Sequence, residues 1–97
     1  MQKVEGVKEL ADIPYSTIYE FYPHGKNKGK TVCIAYGKVQ VFPWAVGYCG
    51  GTHYFGSAQA AAAYCEGRGF IPGHTTEAMT AKLMEEYQRI YGKDYAE

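Results

Sequence analysis

The sequence has no acidic residue between Phe21 and Cys65, although the 97-residue chain contains ten aspartates and glutamates. This acid-free region, residues 21–65, contains four lysines and carries a formal charge of +4, whereas residues 1–20 and 66–97 each sum to −2. The net charge of zero therefore conceals a cationic centre between two acidic ends. A region with charges of one sign predicts a surface that binds something anionic.

Cysteine is scarce, and long apolar runs are missing. The three cysteines form no C-x-x-C pair, so we expect no disulfide framework and favour a reducing cytoplasm. The first ten residues, MQKVEGVKEL, lack the apolar core of a secretory signal. No apolar run approaches the roughly 18 residues that a membrane span needs. These absences predict a cytoplasmic protein that does not enter a membrane.

Recognisable catalytic and metal-binding motifs are also missing. The segment GKNKGKT places Gly25 one residue too close to Gly29 for a phosphate-binding loop, and a strand is predicted to follow it where such a loop needs a helix. The cysteines and histidines lack zinc-site spacing, and the predicted hairpin puts Cys49 and His53 on opposite faces. We therefore expect no enzyme, no metal and no cofactor.

Length and local patterns predict one domain, residues 1–97, because a chain of this size buries a single core. Residues 3–11 have an apolar helical face, which predicts a short helix that ends before Pro14. The β-branched and aromatic run at residues 15–22 predicts a strand with strict alternation of its two faces.

Two hairpins are predicted to follow. A turn at Gly37-Lys38 would pair Tyr36 with Val39, and a turn at Gly50-Gly51 would pair Tyr48 with His53. Pro43, between the hairpins, predicts a bend or an edge position. The core face of the first hairpin would collect Val32, Ile34, Tyr36, Val39 and Val41.

Two helices are predicted at the end of the chain. Ser57 would cap a helix that runs to about Glu66 and is terminated by Gly67. The last helix would begin near Thr75 or Thr76 and bury the stripe Met79, Leu83, Tyr87 and Ile90. The two hairpins supply four strands, and together with the helices they predict an α+β fold with a four-stranded antiparallel meander sheet. The two C-terminal helices would pack on one face of this sheet, and the fold would also include a short N-terminal helix.

Two functions from different classes fit these patterns. The first is a small non-catalytic module that binds an acidic or mixed protein surface, a size and composition found among intracellular regulators and phage-encoded inhibitors. The alternative is a single-stranded nucleic-acid-binding protein that stacks bases on an open sheet face. The sequence leaves the oligomeric state open. The predicted partner-binding residues are Tyr22, Lys26, Lys28, Lys30, Lys38, Trp44, Tyr48 and His53.

Overall fold

A computed structural model describes residues 16–21, 31–37, 41–48, 51–70 and 73–93. The predicted N-terminal helix at residues 3–11 lies outside these ranges. The described residues form one antiparallel sheet and two helices, which confirms the predicted α+β class. The strands lie in chain order across the sheet, and the elements are β1 (Ser16–Phe21), β2 (Val32–Tyr36), β3 (Trp44–Tyr48), β4 (Gly51–Phe55), α1 (Ala58–Arg68) and α2 (Thr76–Tyr91).

The connection between β2 and β3 differs from the predicted tight turn. Tyr36 lies opposite Trp44, so the predicted pairing of Tyr36 with Val39 is wrong. The Gly37 N–H donates to the Pro43 carbonyl at 2.9 Å, and β3 begins only after this proline, which has no N–H to offer a strand ladder. Val41, predicted in the core stripe, belongs to this connection and is 64% exposed.

Strands β3 and β4 pair two residues away from the predicted register. Tyr48 lies opposite Gly51, and His53 lies opposite Val46. Because side chains alternate with a period of two, this shift leaves every residue on the face that was predicted for it. Cys49, which was considered together with His53, lies outside the described residues.

Strand β1 contains a β-bulge. Thr17 lies opposite Ala35 and Tyr19 lies opposite Ile34, so that Ile18 is an additional residue on β1. The strict alternation predicted for this strand therefore fails. Ile18 and Phe21 were predicted on opposite faces, and both are buried.

Both helices begin at the predicted caps. The Ser57 hydroxyl accepts a hydrogen bond from the Ala60 N–H at 3.1 Å, and the Thr75 hydroxyl accepts one from the Ala78 N–H at 3.1 Å. Helix α1 continues past Gly67, the predicted terminator. It ends at Gly69, whose φ of 65° lies in the left-handed region that glycine adopts without steric cost.

The helices cover one face of the sheet, with α1 against β3 and β4 and α2 against β1. Met79, Leu83 and Tyr87 are buried as predicted, but Ile90 is 39% exposed. In this last turn of α2, Tyr91 packs on the sheet instead, with its ring 6.0 Å from that of Tyr36. The largest fully buried side chains are Trp44, Ile34, Met79, Leu83, Val32, Val46 and Cys65.

A side-chain cap joins the two helices. The Glu66 carboxylate at the end of α1 accepts hydrogen bonds from the hydroxyl and the backbone N–H of Thr76, the first residue of α2. These hydrogen bonds lower the pKa of Glu66. A carboxyl with a lowered pKa stabilises the fold above its ordinary pKa of about 4.3, and this contribution disappears as the pH falls through the lowered value.

We therefore expect Glu66→Gln to reduce the free energy of unfolding more at pH 7 than at pH 3. Glutamine preserves the shape of the acceptor and removes only its charge. Urea unfolding of both proteins at the two pH values measures the difference. Glu85→Gln is the control, because the Glu85 carboxylate lies 3.6 Å from Lys82 Nζ and is mostly exposed. The same loss for Glu66→Gln at both pH values would contradict this role for the charge.

Candidate functional site

Three of the eight predicted partner-binding residues lie in the described ranges, and Trp44 among them is a core residue. Its side chain is 0% exposed, and its ring centroid lies 5.1 Å from that of Tyr36 and 6.3 Å from that of Tyr87. The prediction that Trp44 contacts a partner is therefore corrected: its large apolar ring fills the space between the sheet and α2. Tyr22, Lys26, Lys28, Lys30 and Lys38 lie outside the described residues.

Tyr48 and His53 are half-buried on the face of the sheet that the helices cover. The Tyr48 ring lies 5.0 Å from Phe70, and the His53 ring lies 4.7 Å from Tyr64 of α1. Burial, with a further contribution from the Arg68 guanidinium, lowers the pKa of His53. The Tyr48 ring thus packs against Phe70, which follows α1, and the His53 ring packs against α1 itself.

Many of the described positions in residues 21–65 lie in the interior. None of the described aromatic residues of this region is exposed, and six of the eight belong to the core or pack against it. A carboxylate in such a place would be desolvated without a partner, so burial accounts for the absence of acids at these buried positions. The eight described rings are Phe21, Tyr36, Phe42, Trp44, Tyr48, Tyr54, Phe55 and Tyr64.

The opposite face of the sheet carries small side chains. On that face, Ala35 of β2 lies opposite Ala45 of β3, and Cys33 lies opposite Gly47. Gly47 also lies opposite Thr52 of β4. Tyr54 is the one aromatic side chain that the described strand residues present there. Within the described ranges, this face therefore offers no series of rings on which bases could stack.

A surface groove lies between β1 and α2, and we call it the β1–α2 groove. Its volume is about 400 Å³. Within the described sheet, β1 has one strand neighbour, β2, and is therefore an edge strand. The groove is lined by Thr17, Ile18, Tyr19 and Glu20 of β1 and by Lys82, Glu86 and Arg89 of α2.

The α2 wall of the groove is an ion-pair network centred on Glu86. Its carboxylate lies 3.2 Å from Lys82 Nζ and 2.7 Å from a terminal guanidinium nitrogen of Arg89, and Arg89 Nε–H donates to it at 2.8 Å. Hydrogen bonds from Arg89 and Lys82 lower the pKa of Glu86, and the hydrogen bond to Glu86 raises the pKa of Lys82. The Glu86 side chain is 17% exposed and that of Arg89 is 68% exposed, so the cations face the solvent.

Helical spacing extends this wall towards the end of α2. Lys82, Glu86 and Arg89 follow each other at positions i, i+4 and i+7, which places them along one side of α2, whereas Lys93 lies beyond Gly92, the residue that ends the helix. Sequence reasoning missed these two cations of α2 as a candidate site. The i, i+4, i+7 spacing was the signal that could have identified it.

The two described cysteines lack the features of reactive thiols. Burial raises the pKa of the Cys65 thiol to about 12. Burial also raises the pKa of Cys33, as does the neighbouring Glu20 carboxylate, to which the Cys33 thiol donates at 3.7 Å. Both thiols are therefore protonated near neutral pH, and a protonated thiol is a poor nucleophile.

The described ranges hold no group of three or more histidine, cysteine or acidic side chains that could bind a metal ion. Neither described helix has the length and apolar character needed to cross a membrane. No family model matches the sequence, and comparisons with curated proteins and with solved structures found no match.

Proposed function

We propose that the chain is a non-catalytic protein-binding module, a regulator or inhibitor of another protein, and that it binds its partner at the β1–α2 groove. The observation that supports this proposal most is the composition of the groove. One wall is an edge strand, and the other is a helix side that carries exposed cations. Edge strands and exposed arginines are features that protein-binding surfaces use repeatedly.

The charge of the groove favours a partner surface of mixed charge. Its lining carries two cations, Lys82 and Arg89, and two carboxylates, Glu20 and Glu86. Because Glu86 is paired with two cations, it holds their side chains in place before a partner arrives, which reduces the entropy lost on binding. Lys26, Lys28, Lys30 and Lys38 stay in the proposal as further contacts, since the first three belong to the segment that follows β1.

The same observations favour a protein over single-stranded nucleic acid. Base stacking needs accessible rings, and the described aromatic residues of the acid-free region are buried or half-buried. A titration of fluorescein-labelled oligo-dT, followed by anisotropy at low salt, is therefore expected to stay flat. Binding that weakens steeply with salt would contradict the proposal.

Comparative affinity capture tests the proposal. We expect the double substitution Lys82→Gln and Arg89→Gln to reduce recovery of the specific partner at least about tenfold, as loss of two interface charges typically does. Arg68→Gln is the matched control, because Arg68 lies over the Tyr64 ring on α1, 5.4 Å from its centroid, and does not line the groove. Circular dichroism of the three proteins verifies that each is folded.

The expected pattern is a protein that wild type and Arg68→Gln both recover and that the double variant loses. Equal recovery by all three proteins would contradict a role for the groove. So would an equal loss from Arg68→Gln, because that result would indicate a general effect of cationic charge.

A further inference from the structure

We infer that the N-terminal segment of the chain, residues 1–15, docks as a helix on the second face of the sheet, the face away from α1 and α2. This surface is separate from the β1–α2 groove, so the inference does not depend on the proposed function. The docked segment gives the sheet a helical layer on both faces. It also closes the second face to an external partner unless the segment is displaced.

Three side chains on the second face are buried. Ala35 is 2% exposed, Ala45 is 0% exposed and Thr52 is 7% exposed. Ala35 of β2 lies opposite Ala45 of β3, and Thr52 lies on β4. Helices α1 and α2 pack against the other face, around Ile34 and Trp44. Because small side chains on an uncovered sheet face would contact water, another part of the protein covers these three.

The buried part of the second face has the width of one helix. Ala35 on β2 and Thr52 on β4 are two strand spacings apart, which is roughly 10 Å. An α-helix with its side chains is about 10–12 Å across. Tyr54 lies opposite Ala45 and can shield it, but Ala35 lies one strand further away. Thr17, the neighbour of Ala35 on β1, is exposed, so the cover ends before β1.

The N-terminal segment is the part of the chain that fits this cover. The structure contains a single chain, so the cover belongs to that same chain. Among the segments outside the described ranges, the next in length is residues 22–30, which contain Tyr-Pro followed by polar residues and glycine, and the others are at most four residues long. In the predicted N-terminal helix, Val4, Val7 and Leu10 lie at positions i, i+3 and i+6, on one side. Residues 1–15 therefore combine the length and the apolar side that the cover needs.

The connection to β1 is long enough for this docking. The predicted helix ends at residue 11 and β1 begins at Ser16, and five Cα–Cα steps span at most about 16–18 Å. The middle of the covered strip lies over β3, roughly 10 Å across from β1 and 10 Å above the sheet, which is about 14 Å away. The small residues Ala35, Ala45 and Gly47 allow a helix to approach the sheet closely.

Methyl nuclear Overhauser effects in the full-length chain test the docking directly. We expect cross-peaks between the methyl groups of Val7 or Leu10 and those of Ala35 or Ala45. A sample that mixes labelled and unlabelled chains distinguishes contacts within one chain from contacts between two copies. The inference is overturned if Ala35 and Ala45 show no cross-peak to residues 1–15, or if their cross-peaks to this segment arise between copies.

A matched pair of variants tests the same contact through the reactivity of Cys33, which is half-buried on the second face. Leu10→Asn places a polar amide on the apolar side of the predicted helix, and Glu9→Asn places the same amide on the opposite side. Alkylation by iodoacetamide is followed by mass spectrometry of the peptide that contains each cysteine. We expect Leu10→Asn to raise the alkylation rate of Cys33 several-fold and Glu9→Asn to leave it unchanged, because only the first variant weakens the docked layer.

Cys65 is the internal control, because it is 0% exposed on the core side of the sheet and should stay unreactive while the fold persists. An unchanged Cys33 rate in Leu10→Asn, or an equal increase in Glu9→Asn, would contradict the docking. If Cys65 also becomes reactive in Leu10→Asn, that variant has unfolded, and the methyl contacts of the unaltered chain decide.

Discussion

Replacement of Trp44 by alanine is expected to lower the free energy of unfolding by about 3–5 kcal/mol, the usual cost of deleting a large buried ring. Trp44 is 0% exposed, and its ring packs near those of Tyr36 and Tyr87. Domains of this size have total stabilities of roughly 5–15 kcal/mol, so the variant should lose a large fraction of the total stability. Urea unfolding followed by far-ultraviolet circular dichroism measures the loss.

Val41→Ala is the control for Trp44→Ala. Val41 was predicted in the core, but it is 64% exposed, and its truncation should change the stability by less than about 0.5 kcal/mol. If the two variants lost similar stability, or if Trp44→Ala lost less than about 1 kcal/mol, then Trp44 would not have the packing role that we assign to it.

Leu83→Ala is expected to cost about 2–5 kcal/mol, because it removes a fully buried side chain at the centre of the α2 stripe. Ile90→Ala, in the same helix, should cost less than about 1 kcal/mol, because the Ile90 side chain is partly exposed. The pair separates the loss of packing from the change in helix propensity, since both variants place alanine in α2.

Thermal and urea unfolding of the two α2 variants provide the comparison. A larger loss for Ile90→Ala than for Leu83→Ala would mean that the helix is rotated about its axis relative to the sheet. Such a rotation would also move Lys82, Glu86 and Arg89 away from β1, so this comparison bears on the groove as well as on the core.

The element types were predictable from the sequence because they depend on local chemistry. Ser57 and Thr75 cap helices through side-chain oxygens, and β-branched or aromatic runs favour strands. The pairing register was not predictable in the same way. The Gly37-Lys38 pair has the composition of a tight turn, but the chain continues to Pro43 before β3 begins, which places Trp44 opposite Tyr36. The packing of the Trp44 ring depends on contacts with residues that are distant in the chain. The residue types of a turn carry no information about such contacts.

The site was less predictable than the fold. The lack of acids in residues 21–65 was interpreted as a binding surface, but an interior produces the same composition, and only burial distinguishes the two. The β1–α2 groove joins residues near position 18 to residues near position 86. No local pattern relates segments so distant in the chain, so their contact had to be found in the structure.

Chemical-shift mapping of backbone amides tests the central claim that β1 and α2 form the binding surface. The isotope-labelled chain is titrated with the partner protein recovered by affinity capture, and the shift of each amide is followed. We predict that the largest shifts lie in β1, residues 16–21, and along α2 from Lys82 to Arg89, with residues 51–55 of β4 almost unchanged. Shifts concentrated in β4 or on the face of the sheet away from the helices, with β1 unchanged, would contradict the account.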